Sequence, residues 1–323
     1  MAARYAVLLK IHYWDGFAER RLQHLFSKVG TGDVYIFVDE THGPVGDIPH
    51  PRVIRATEQD MAELEVILDP PGGVFWYSVD YPLYYFYLRH RSYDYYLMCE
   101  HDAVLNIDVD EFVRMADNDQ IDYVGFPVSK SGWPLHASEG VYPKSFNLYQ
   151  WLNCISLHSR RSVEFLLKRR QILARHYTAG EIPDWPNNEA FIATEMHNNG
   201  FVARELAAFG KTDKYNWWPP THEDDLPSLQ DHGFMHPVLD ERRYVVSCFR
   251  YSNLINFNYF SRDSQLRRLL GRRSPISLLP VFLKEFTRQV VRQFMPTFVL
   301  GLIPRTRNAG SFQQLLRRLP PAN

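Results

Sequence analysis

The sequence is poor in the residues that staple or anchor a small protein. Its 323 residues include three cysteines, Cys99, Cys154 and Cys248. An odd, widely spaced trio excludes both a disulfide framework and a CxxC metal site, and it points to a reducing compartment. No stretch approaches the run of about 18 apolar residues that reads as a membrane-spanning helix. Nothing at the N-terminus resembles a secretory signal, because Lys10 interrupts the short apolar run from Ala6 to Leu9. The expected location is therefore the cytoplasm, free or on the inner face of a membrane. Internal repeats and low-complexity segments are also lacking. Apolar residues at 45% and charged residues at 23% are ordinary for a globular chain, which excludes wholesale disorder.

An excess of charge of either sign is lacking too, since the net charge is −1. That value hides a split. Ser261 to Asn323 holds 12 Lys and Arg against 2 Asp and Glu, whereas the rest holds 24 against 35. An acidic body with a basic tail hints at an anionic membrane or nucleic acid. No nucleic-acid-binding motif is recognisable, so nucleic acid is not expected as a partner. Arg267-Arg268, Arg272-Arg273 and Arg317-Arg318 punctuate a tail rich in Leu, Phe and Val, and the segment from Pro275 to Ile303 is notably apolar. An interfacial amphipathic segment fits this pattern, and so does a helical appendage packed on the acidic body. We divide the chain at this change of composition, into residues 1–260 and a basic helical tail, 261–323, broken at Pro275, Pro280, Pro296 and Pro304.

What the chain has in abundance is aromatic residues: 19 Tyr, 21 Phe and 7 Trp. They suit a large core, and also sites that stack flat ligands or sugar rings. Strand patterns fall at Tyr5 to Ile11, Asp33 to Val38, Arg52 to Ala56, Tyr95 to Cys99, Ile121 to Val128, Cys154 to Leu157 and Phe201 to Leu206. Helical patterns fall at Trp14 to Val29, Asp80 to His90, Ser162 to Arg170 and Glu189 to Asn198. Strands alternating with helices predict an α/β fold with a mainly parallel, doubly wound sheet. Ligands of such sheets bind beyond the carboxyl ends of strands. Those ends carry Asp39, then Glu100 and Asp102, and the polar segment around Ser129.

Tyr95-Tyr96-Leu97-Met98-Cys99-Glu100-His101-Asp102 is the sharpest signal. Two carboxylates at i and i+2 follow a buried strand, where the chain bends and both can face one crevice. Acids placed so coordinate a hard divalent cation or repel each other at a cost. A strand running into such a pair resembles the GT-A glycosyltransferases, with Glu100-His101-Asp102 as a variant of their DxD motif. The resemblance covers roughly Ala3 to Val238 by order of elements.

It implies a nucleotide-sugar donor, a Mn²⁺ or Mg²⁺ ion on the donor diphosphate, and a glycan or lipid-linked acceptor. Asp102 would bind the metal directly. Glu100 would be a second ligand or contact the ribose, and His236 would complete the shell, with His232 as its competitor. Asp39 would touch the nucleoside. Glu189, at a helix start after Asp184-Trp185-Pro186, would be the base or acceptor clamp, with Asp184 as its competitor. A carboxylate in the first helical turn also stabilises the helix dipole, by about 0.3–1 kcal/mol, with no catalytic role. That reading of Glu189 stays open, and either way a helix start favours the ionised carboxylate. Trp185 beside these acids suits an acceptor subsite, and Trp217-Trp218, Trp133 and Trp151 are further sugar-stacking or core-filling rings.

The expected activity is metal-dependent transfer of a sugar, in surface polysaccharide or glycolipid assembly. Two alternatives use the same carboxylate pair or fold. A nucleotidyltransferase would be expected to carry an early glycine-rich basic phosphate loop, and Leu9 to Gly16 lacks one. A non-catalytic scaffold would bind no metal.

Overall fold

The computed structural model describes residues 2–68, 77–128, 135, 138–252, 264–271 and 279–294. Ser129, Trp133, Pro275, Pro296, Pro304 and the arginine pairs at 272–273 and 317–318 lie outside them.

The expected α/β architecture is the one observed. The first strand, β1 (Tyr5–Ile11), is buried along its whole length, as a strand covered on both faces of a parallel sheet must be. It pairs in parallel with β2 (Asp33–Asp39) on one side and β4 (Tyr95–Glu100) on the other. With β3 (Val53–Ala56), β6 (Tyr123–Pro127), β7 (Trp151–Ser159) and β8 (Ala203–Glu205) they form a seven-stranded sheet of order β3-β2-β1-β4-β7-β6-β8. Only β7 runs against its neighbours, antiparallel to both β4 and β6. The carboxyl ends of β1, β2 and β4 therefore share one edge, and the reversed β7 brings the start of its chain to that same edge. Register carries this to the residue level, because Lys10 at the end of β1 lies beside Glu100 at the end of β4.

Local chemistry sets the helix ends. The expected helix from Trp14 is α1 (Gly16–Phe26), which starts later because Asp15 caps it. The Asp15 carboxylate accepts hydrogen bonds from the amides of Phe17 at 3.0 Å and Ala18 at 3.1 Å, satisfying donors that the helix itself cannot. Further along, α2 (Tyr81–Arg89), α3 (Val109–Asn118), α4 (Arg160–Thr178) and α5 (Asn188–Asn198) cover the sheet. The tyrosines of α2 are not a ligand surface. Tyr81, Tyr84 and Phe86 are fully buried in one core, with Tyr77, Trp185 and Phe191. The opposite core holds Val7, Leu9, Leu97, Phe112 and Phe234.

A small second sheet was not legible in the sequence. β5 (Val104–Leu105) pairs antiparallel with β11 (Phe234–His236), which pairs in parallel with β9 (Lys214–Tyr215). Close by, β10 (Thr221–His222) pairs with β12 (Val238–Leu239). The amide of Val238 donates to the carbonyl of Asp102 at 2.7 Å. That bond ties the segment after β11 directly to the segment after β4.

Beyond β12, α6 (Glu241–Ser252), α7 (Gln265–Leu270) and α8 (Leu279–Phe294) form a helical appendage. Tyr244, Val245, Cys248 and Phe249 of α6 bury against Leu266 and Leu270 of α7, and Phe249 meets Phe282 of α8 at 5.0 Å between ring centroids. This part of the tail is thus packed on a body helix, while Leu279 and Leu283 remain exposed. Pro280 does not break the tail as expected. It is the second residue of α8, where a helix has no use for the missing N–H. Among the described residues, no helix is long and apolar enough to cross a membrane.

Candidate metal and donor site

The carboxyl edge of the main sheet and the end of β11 together build a cluster of metal-ligating side chains. His236 closes β11, and its Nδ1 lies 2.6 Å from the carbonyl oxygen of Asn216. A carbonyl only accepts, so Nδ1 carries the proton and the Nε2 lone pair is presented to the other side. There Nε2 stands 3.6 Å from Asp102 Oδ1, an oxygen buried without a hydrogen-bond partner. Glu100, Cys154 and His236 each place a ligand atom within 4.8 Å of the other two. Glu100, Asp102 and His236, separated in sequence by up to 136 positions, therefore lie together at this edge.

These residues fit a divalent cation. A buried carboxylate oxygen with nothing to bond, facing an imidazole whose other nitrogen is already committed, is the arrangement that ligation requires. Carboxylates alone suit Mg²⁺, whereas an added imidazole favours Mn²⁺ or another transition-series ion.

Charge around the cluster is arranged to keep Glu100 ionised. Burial pushes its carboxyl up, but the ammonium of Lys10 outweighs that and holds it well below the usual carboxylate range. Lys10 Nζ lies 3.0 Å from Glu100 Oε1. His101, the middle residue of the motif, turns into an aromatic wall. Its ring centroid is 4.9 Å from both His12 and Tyr13, and burial lowers the proton affinity of His101. Arg243 of α6 stacks over Tyr13 at 4.3 Å and Phe17 at 4.8 Å, and is ion-paired to Asp15 at 2.6 Å and to Asp240.

Other expected site residues fall around this centre in different ways. Asp39 ends β2, and its Oδ1 accepts from the Thr41 amide at 2.9 Å and the Thr41 hydroxyl at 2.6 Å, closing the turn. Glu189 lies in the first turn of α5, whose cap is Asn187: the Asn187 side chain accepts from the Glu189 amide at 2.9 Å. The Glu189 carboxylate is therefore not the cap. Instead it accepts from Gln150 Nε2 at 2.9 Å and lies within the electrostatic reach of Glu100 and His236. Burial pushes its carboxyl up to about 7, with Gln150 opposing the rise and the charge of Glu100 adding to it. A helix start was expected to keep Glu189 ionised. Loss of water around the carboxyl wins over the helix dipole here.

Asp184 Oδ1 accepts from the Trp185 amide at 2.8 Å. Trp185 is not an acceptor platform, because it is fully buried with its ring 5.0 Å from the Arg170 guanidinium. Trp151 is likewise core, and of the Trp217-Trp218 pair only Trp217, at 49% exposure, faces solvent. His232 is engaged elsewhere, 3.1 Å from Asp213 and 2.8 Å from Asp231. Lys10, His12, Tyr13, Gln150, Cys154 and Arg243 belong to the neighbourhood but stand out in no sequence motif. The one usable signal was His12-Tyr13, placed directly after the first buried strand.

With this geometry in view, the chain can be set beside known proteins. No family model matches it, and no curated protein matches it. Among solved structures it is similar to a glycosyltransferase involved in the glycosylation of the major capsid of PBCV-1, at 10% identity and a TM-score of 0.35, over 72% of this chain and 92% of that one. It is also similar to mouse xyloside xylosyltransferase 1 in its apo form, at 8% identity and a TM-score of 0.42, over 72% of this chain and 97% of that one. Both neighbours are glycosyltransferases. Likeness this distant carries no residue-level meaning.

Proposed function

We propose that this chain is a metal-dependent glycosyltransferase that moves a sugar from a nucleotide diphosphate donor to a glycan or lipid-linked acceptor, in surface polysaccharide or glycolipid assembly. The observation that carries the reading is the pairing of Asp102 Oδ1 with His236 Nε2 at 3.6 Å, at the carboxyl edge of a mainly parallel sheet. Glu100 stands beside them, and the Glu189 carboxyl lies within their field.

In this reading Asp102, His236 and Glu100 hold Mn²⁺ or Mg²⁺, with Mn²⁺ favoured by the imidazole. When bound, the cation supplies Lewis-acid stabilisation of charge on the leaving diphosphate. Lys10 balances the charge of Glu100 and so lessens its repulsion of the neighbouring Asp102 carboxylate. His12, Tyr13 and His101 form a wall against which a flat nucleobase can pack. Asp39 offers a carboxylate to the ribose or base from the next strand end. Glu189 takes the proton from the acceptor hydroxyl, a role suited to a carboxyl poised near neutrality, with Asp184 as the competing base. The basic tail, 261–323, meets anionic lipid and keeps the body, 1–260, near a lipid-linked acceptor on the inner face of the membrane.

Thermal unfolding in the presence of nucleotide-sugars, with and without Mn²⁺, tests the reading. A ligand at about 100 times its dissociation constant stabilises the native state by about 2.7 kcal/mol, so at least one donor should raise the Tm only with the cation. Incubation with that donor should then release a nucleoside diphosphate. Release of pyrophosphate from a nucleoside triphosphate and a sugar phosphate would mark a nucleotidyltransferase instead, and absence of any cation or donor effect would mark a scaffold. For the tail, full-length protein should bind vesicles containing phosphatidylserine at low salt and leave them as salt rises. Failure to bind at low salt would leave the tail only its packed role on α6.

A further inference from the structure

Cys154 has no place in the reading so far, yet it sits inside the cluster. It lies on the reversed strand β7 and is 8% exposed. Its Sγ is within 4.8 Å of a carboxylate oxygen of Glu100 and a ring nitrogen of His236. We propose that Cys154 Sγ is a ligand of this centre, and that Glu100, His236 and Cys154 together accept a thiophilic divalent cation of the Zn²⁺, Co²⁺ or Cd²⁺ class.

Three features carry the inference. Topology is the first, because β7 is antiparallel to β4, with Cys99 beside Ile155. The next step in that register sets Cys154 opposite Glu100, so the thiol reaches the site by strand pairing and not by a loop that could drift. Orientation of the imidazole is the second. His236 is 7% exposed, and its Nδ1 is committed to the Asn216 carbonyl at 2.6 Å, which leaves Nε2 as the ligating nitrogen. Chemistry of the donor set is the third. One thiol, one imidazole and one carboxylate is a mixed soft and borderline set that suits Zn²⁺ and Co²⁺, whereas Mg²⁺ and Ca²⁺ take oxygen donors. As the metal–sulfur bond forms, the S–H bond breaks and the proton leaves to solvent, as ligation by a thiol requires. The consequence is a centre with two overlapping donor sets. Asp102 with His236 and Glu100 suits a harder ion, and Cys154 with His236 and Glu100 suits a softer one, so the two ions compete for shared ligands.

The inference rests on reading the cluster as a cation site, but not on sugar transfer. Titration of the full-length, metal-free protein with Co²⁺ tests it, with the near-ultraviolet thiolate-to-cobalt charge-transfer band as the readout. The parent should develop this band to one equivalent. Cys154→Ser, nearly the same size, should lose the band and weaken Co²⁺ binding at least about tenfold, while its Tm without metal stays near that of the parent. Cys99→Ser and Cys248→Ser should keep the band. Excess Mn²⁺ should reduce it in the parent by displacing cobalt. A band that survives in Cys154→Ser, or cobalt bound by the parent with no thiolate band, would overturn the proposal, as would a parent that binds no cobalt. Failure of every donor assay would overturn the proposed transferase activity and leave this band intact.

Discussion

At the scale of single residues, Glu189 carries the most consequence. Its amide is capped by Asn187, while its carboxylate accepts from Gln150 and feels the charge of Glu100, so the cap and the proposed base belong to different atoms. Glu189→Gln should keep donor binding and lose transfer by about 10²–10⁴-fold, the reach of a positioned general base. Donor affinity and transfer rate measured side by side check this, and transfer within a few-fold of the parent would pass the role to Asp184. The raised carboxyl also has a signature in stability. A group that holds its proton more tightly when folded stabilises the protein while protonated, and that contribution is lost as pH rises through the window from about 4.5 to 7. In metal-free protein, Glu189→Gln should therefore gain stability relative to the parent between pH 5 and pH 8. A Tm difference that does not change with pH would contradict the buried carboxyl.

At the scale of elements, the loop that delivers α5 is held from beneath by a fully buried ion pair. Arg170 Nε lies 2.7 Å from Asp80 Oδ2, with both side chains at 0% exposure, and Arg170 Nη1 donates to the Pro186 carbonyl at 2.8 Å. Arg170→Met should cost about 3–5 kcal/mol, because the carboxylate of Asp80 is left buried without its partner. Urea unfolding measures this, and a loss under about 1 kcal/mol would mean that water reaches Asp80. Much of this layer was legible in sequence. The main-sheet strands fell close to their expected places because a buried parallel strand is a short apolar run bounded by turn residues, as in YAVLLKI and DVYIFV. The ends of helices were less legible, since α1 begins where Asp15 can cap it and α4 runs well past Arg170. The short strands β5, β9 and β11 were not legible at all. Two or three residues show no period, and what defines them is a distant partner, more than a hundred positions away for Phe234 beside Leu105. The same limit hid half of the site. Glu100 and Asp102 announce themselves at a strand end, but Cys154 and Gln150 join them only through the pairing of β7.

At the scale of the whole molecule, titration of buried histidines should set the acid limit. Burial lowers His158 to about 3 and holds His101 and His24 below the ordinary imidazole value, whereas the unfolded chain takes up these protons near pH 6.5. Groups that stay neutral when folded stabilise the protein above the unfolded value, and that stability is lost as pH falls from about 6.5 toward 3. Each such histidine contributes a slope of about 1.4 kcal/mol per pH unit within the window, opposed between pH 5 and 6.5 by Glu189. The Tm should therefore drop from pH 7 to pH 5, and His158→Gln should lessen the drop; an equal drop in both would assign the acid limit to other groups. The same whole-molecule arrangement joins two sheets at one centre, since Asp102 comes from the main sheet's edge and His236 from the small sheet. The measurement that tests this most directly is calorimetric titration of a panel of nucleotide-sugars into the parent and Asp102→Asn, with and without Mn²⁺. The account predicts that at least one donor binds the parent only with Mn²⁺, and that Asp102→Asn keeps its fold but loses this binding. Equal donor affinity in parent and mutant, with Mn²⁺ present, would contradict it.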